Sequence, residues 1–183
     1  MISRTEALNL LNRYLTNDRN VKHCISVEVI MKFLARKLGE DEELWGITGL
    51  LHDIDYELVG KDLSRHGLLA KEILKDLLPM EALEAITSHN ELTGCTSESK
   101  ISYALKAADH ISGLLVATAL VMPSKKIGEV RIDSVMKKFK QRDFAKGVDR
   151  GRILLCEKLG LNLEEFISLS LDALKTISHE LGL

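Results

Sequence analysis

Apolar positions recur at helical spacing along almost the whole chain. Ala7, Leu8, Leu11 and Leu15 form one stripe, and Ser3 with Glu6 is spaced as a capping box in front of it. Val27, Ile30, Met31 and Leu34 mark the inward face of a second helix over about 21–38, with Gly39 to stop it. Asp41 is placed to cap a third, which carries Leu44, Ile47, Leu50 and Leu51 up to His52. The same pattern predicts helices over about 64–77, 80–90, 98–121, 145–159 and 162–181. Pro79 and Pro123 fall between segments, where proline breaks nothing. Residues 127–132 alternate instead, as a short extended piece or a loop after Pro123 would. No repeat, low-complexity tract or linker interrupts the pattern. The expected fold is all-α: a compact, single-domain helical bundle spanning residues 1–183.

Composition narrows the function classes. Aromatic residues make up 4% of the 183, so the core must be built from Leu, Ile, Val and Ala, and stacking platforms for single-stranded nucleic acid are scarce. A net charge of −2 argues against a protein that coats nucleic acid. The most apolar run, Gly113 to Met122, is too short to span a bilayer, and the first residues lack the apolar stretch of a signal peptide. Cys24, Cys95 and Cys156 are odd in number and far apart, which suits a reducing compartment and a cytoplasmic protein. Charge is segregated, however. Residues 125–152 carry ten basic against four acidic side chains, a surplus of +6 that leaves −8 elsewhere. Such a segment is either a solvated face or an anion-binding rim.

No phosphate-binding Gly-Lys-Ser/Thr loop, nucleophile elbow, Cys-x-x-Cys pair or His-Glu-x-x-His is present. Histidine and aspartate placement is the informative feature. An apolar helix runs directly into His52-Asp53, where an ionised carboxylate is costly unless a partner or metal neutralises it. Adjacent helical residues diverge by about 100°, so the pair can grip a metal from two sides or lie at an exposed helix end. His23, His89 and Asp109 also sit among apolar residues of separate predicted helices. A lone buried histidine is commonly a core residue. Several helices each presenting His or Asp inward suit a bound Mn, Fe, Co, Ni or Zn ion.

The order His23, His52-Asp53, Asp109 resembles the signature of the HD-domain metal-dependent phosphohydrolases. His52-Asp53-Ile54, with His66-Gly67 and His89, is similar to the HDIG-type branch found in small bacterial proteins. The resemblance covers about residues 20–120, with C-terminal helices packed on that core. It implies an all-α bundle in which His23, His52, Asp53 and Asp109 ligate one divalent transition-metal ion. His66 and His89 match the extra ligands of dinuclear members, and Asp53 would bridge the two ions and support water activation. It further implies hydrolysis of a phosphomonoester or phosphodiester, with a small, nucleotide-like phosphorylated substrate. Lys61, Arg65 and Lys106 are candidates for holding its phosphate oxygens. The chain departs from the branch at Asp55, where glycine is usual; this side chain either orients a ligand or faces water, and water is the expectation. The Gly-Tyr-Pro element of the cyclic-dinucleotide branch is absent. Two other readings of the same ligand set are a dinuclear-iron oxygenase and a metal-stabilised binding module without turnover.

Overall fold

The computed structural model describes residues 1–183 and contains helices and turns with no strand, as the periodicity predicts. The first three helices start and stop where local chemistry dictates. Ser3 and Glu6 close a reciprocal capping box on α1 (Arg4–Tyr14). Asn17 caps α2 (Asp18–Leu38), and Gly39 ends it at φ 72°. The Asp41 carboxylate accepts from the backbone N–H groups of Glu43 and Leu44 at the head of α3 (Glu42–Leu51). A short α4 (Tyr56–Val59) follows, then α5 (Leu68–Leu74), α6 (Met80–Ser88), α7 (Lys100–Leu120), α8 (Ile132–Lys140), α9 (Arg150–Ile153), α10 (Leu163–Thr176) and α11 (Ser178–Leu181).

Three expected helices are broken. The predicted 64–77 helix is a 3₁₀ turn, Leu63–Arg65, separated from α5 by Gly67 at φ 91°. A side chain at Gly67 would be strained by that φ. Its Cβ would also lie 3.0 Å from the Ile86 carbonyl oxygen. The 145–159 helix begins only at Arg150 and turns 3₁₀ over Leu154–Leu159. The C-terminal helix breaks at Ile177. Residues 127–132 form a 3₁₀ turn followed by the start of α8, not an extended piece.

The two 21-residue helices, α2 and α7, pack against each other at the centre. α3 and α10 pack on α2, while α6 and the Leu154–Leu159 turn pack on α7. Forty-four buried apolar residues make one core, in which Trp45 and Phe166 are the only aromatic side chains. α3 lies so close to α2 that a Cβ at Gly49 would sit 3.0 Å from the Val27 carbonyl oxygen. That approach brings the C-terminal end of α3 beside the first turns of α2, and so His52 beside His23. No helix is long and apolar enough to cross a membrane. All three cysteines are free; Cys24 and Cys156 are buried and Cys95 is exposed.

Candidate metal centre

Five segments converge on one point. His23 comes from α2, His52 and Asp53 from the end of α3, His66 from the turn before α5, His89 from the end of α6 and Asp109 from the middle of α7. Asp53 lies at the centre. Its Oδ1 is 3.2 Å from His52 Nε2, 3.2 Å from His66 Nε2 and 3.4 Å from His89 Nε2. Its Oδ2 is 3.6 Å from His23 Nε2, which in turn lies 3.2 Å from Asp109 Oδ1. Two sets of three ligand atoms, His23–His52–Asp109 and His52–Asp53–His89, each fall within 4.8 Å of one another.

The other ring nitrogen of each histidine is already committed. His52 Nδ1 donates to the Gly49 carbonyl at 2.8 Å, and His89 Nδ1 donates to the Ile86 carbonyl. His66 Nδ1 donates to Asp55 Oδ1 at 2.7 Å. His23 Nδ1 lies 3.3 Å from Ser112 Oγ, whose own proton goes to the Asp109 carbonyl. A carbonyl only accepts, so each neutral ring turns an unprotonated Nε2 toward the Asp53 and Asp109 carboxylates. Lone pairs and carboxylate oxygens repel unless a cation or a proton lies among them. His52 Nε2 is buried and has no hydrogen-bond partner. A buried imidazole nitrogen left without a partner, amid carboxylates and other imidazoles, is the chemistry of a transition-metal donor set.

Protonation equilibria follow the same geometry. Burial opposes charge on the His52 ring and outweighs the nearby carboxylates, lowering its pKa to about 4. Burial also opposes charge on His66, but hydrogen bonds to Asp53 and Asp55 overcome it and raise the pKa to about 10. Asp53 and Asp109 are held well below the usual carboxylate range, because the surrounding imidazoles outweigh burial. Metal binding and protonation therefore compete for the same lone pairs.

Asp55 corrects the sequence reading. It is fully buried rather than facing water. One oxygen accepts from His66 Nδ1, and the other accepts from the backbone N–H groups of Gly67 and Ala70 at 2.8 Å each. Its departure from the glycine of the HDIG branch thus supplies a carboxylate that orients the His66 ring. A carboxyl two residues after the His-Asp pair was the available signal, and only the tertiary fold shows what it faces. Arg152 of the basic segment touches the edge of the site. It donates to the His89 carbonyl and pairs with Glu91 at 2.9 Å.

The cluster floors a cavity of about 920 Å³. Lys61 and Arg65 are exposed, Lys106 is half-buried, and none of the three lines this cavity. Its cationic side chains are instead Arg19 and Lys22 of α2. From the basic segment only Gly147 reaches the cavity. His110 turns aside, with Nδ1 accepting the Asp149 backbone N–H at 3.1 Å.

A family model described as the HD domain matches residues 20–114, slightly more than half the chain and the stretch that supplies every clustered side chain. The chain belongs to the HD-domain family. The chain is also 32% identical over 151 residues to an uncharacterized protein, MJ0778, of Methanocaldococcus jannaschii, an alignment covering 75% of this chain and 84% of the relative. No solved structure matches. Membership places the cluster in a superfamily of metal-dependent phosphohydrolases whose domains bind divalent metals.

Proposed function

We propose that this HD domain is a metal-dependent phosphohydrolase acting on a small phosphoester. The observation that carries the reading is the convergence of four imidazole Nε2 atoms on two carboxylates, with the buried Nε2 of His52 left without any other partner. His23, His52 and Asp109 would hold one divalent ion, and His66 and His89 a second. Asp53 has one oxygen toward His23 and the other toward His66 and His89, which suits a bridging ligand. Such ions, when bound, lower the pKa of water and stabilise charge on a phosphoryl oxygen.

The chain's own residues do the rest. The four Nδ1 contacts hold the rings in the tautomer that leaves Nε2 free for a metal, and Asp55 does so for His66 with a full carboxylate. Arg19 and Lys22 bring positive charge to a cavity that also holds the Asp18, Asp53 and Asp109 carboxylates, which favours entry of an anionic substrate. The site chemistry suits Mn, Fe, Co, Ni or Zn.

The test is elemental analysis of protein prepared without chelator, joined to a phosphate-release screen over mono- and diesters. Bound transition metal and phosphate release, both lost in Asp53→Ala, are expected. Wild-type protein that binds no metal would overturn the proposal. So would iron-bound protein that consumes oxygen with substrate and releases no phosphate, the outcome that favours an oxygenase.

A further inference from the structure

The cavity is much larger than a phosphate requires, and its walls differ in character. On α7, Asp109, Ser112, Gly113, Val116, Ala117 and Leu120 all line it. These positions step by three, one, three, one and three residues, a single stripe along one helix face. The stripe is polar beside the metal cluster and apolar beyond Gly113. From Asp109 to Leu120 it runs about 16 Å at the helical rise per residue. Leu181 and Leu183 add apolar surface from the C-terminal end of the chain. Leu120, at the far end of the stripe, is 48% exposed.

Several polar side chains along the trough are already in use, Arg19 excepted. The Asn20 side-chain amide donates to Glu57 at 2.9 Å. Ser26 Oγ donates to the Lys22 carbonyl at 2.8 Å, and Ser112 Oγ to the Asp109 carbonyl at 2.7 Å. Lys22 is paired with Asp18 at 2.9 Å. Tyr56 is the one aromatic residue lining the cavity outside the histidines, and its ring stands edge-on to His66. A nucleobase selected by hydrogen bonds would find few free donors besides Arg19 and the Tyr56 hydroxyl, and none on α7 beyond Ser112.

We propose that the trough from Asp109 to Leu120 takes the organic part of the substrate as a single extended apolar chain, so that the substrate is an alkyl- or prenyl-type phosphoester rather than a nucleotide. The phosphate end of this assignment rests on the phosphohydrolase reading; the trough itself rests on the α7 stripe. It departs from the nucleotide-like substrate that the sequence resemblance implies, because family membership says nothing of what lines the cavity beyond the ligands.

The experiment is calorimetric titration of Mn²⁺-loaded protein with ethyl, butyl, hexyl and octyl phosphate, and with AMP. All are kept below micelle-forming concentration, and phosphate release is read in parallel. Affinity should rise about two- to fourfold per added methylene, and octyl phosphate should bind more tightly than AMP. Leu120→Glu, at a half-exposed position that leaves the core intact, should weaken octyl phosphate at least tenfold and leave ethyl phosphate unchanged. Ala117→Met, a second variant that narrows the trough without adding charge, should also discriminate against the longer chains. A flat chain-length series, or AMP binding as tightly as octyl phosphate, overturns the assignment. The two readings fail separately. Length-dependent binding without phosphate release removes the phosphohydrolase and keeps the trough. Phosphate release with a flat binding series removes the trough and keeps the phosphohydrolase.

Discussion

Asp55 illustrates how one side chain can serve two elements. Its carboxylate joins the His66 ring to the first N–H groups of α5, with every contact between 2.7 and 2.8 Å and no exposure to water. Asp55→Asn keeps the shape but weakens the hydrogen bond that orients His66. Metal affinity should fall about 10- to 100-fold, the usual effect of removing a partner behind a ligand, with the fold retained. Metal titration followed by circular dichroism checks this, and unchanged affinity would show that packing alone holds the ring. Asp55→Ala also strands two buried N–H groups, so about 1–3 kcal/mol of stability should be lost as well. Denaturant titration of the two variants side by side separates orientation from support.

Among the elements, short helices are held by single charged residues. Glu57 of α4 accepts from the Thr16 and Asn17 backbone N–H groups, the Thr16 hydroxyl and the Asn20 amide, and so ties α4 to the start of α2. Those hydrogen bonds pull its pKa down to about 2. A carboxyl whose folded pKa is depressed stabilises the fold above its unfolded pKa, near 4.3, and loses that contribution as pH falls through the folded value. Glu57→Gln should therefore be less stable than wild type at pH 7, and the gap should shrink between about pH 4.5 and pH 2. Urea midpoints across that range test the sign. In the 141–149 loop the fastening comes from Arg150, whose guanidinium donates to the carbonyls of Lys138, Phe139, Gln141, Phe144, Ala145 and Val148. Arg150→Ala should cost about 2–3 kcal/mol and raise hydrogen exchange across 141–149. Lysine should restore little, because an ammonium lacks the planar fork.

Charge and topology are properties of the whole molecule. Lys137, Lys138 and Lys140 form no ion pair, and none of them lines the cavity; Lys138 lies 4.5 Å above the Phe144 ring. Any effect on an anionic substrate must then act through the long-range field. With a known substrate, the triple Gln variant should lower kcat/KM severalfold at low ionic strength, a gap that closes at high salt. Parallel salt curves would return these cations to an ordinary solvated face. Phe166→Ala should cost about 3–5 kcal/mol, since Phe166 is the largest fully buried side chain. Helical periodicity is local, so the all-α class, the Ser3, Asp41 and Gly39 boundaries and the Leu-, Ile- and Ala-rich core could be read from residue order alone. His52-Asp53 could be picked out for the same reason, as a charged pair at the end of an apolar run. The break at Gly67 escaped the pattern, because it goes with the close approach of that glycine to the Ile86 carbonyl of α6. What Asp55 faces, that Arg19 and Lys22 replace Lys61, Arg65 and Lys106 at the cavity, and that α7 carries an apolar stripe away from Asp109 were decided by tertiary structure. Each depends on side chains far apart in sequence meeting in space, and spacing along a chain does not encode which distant face another helix will cover.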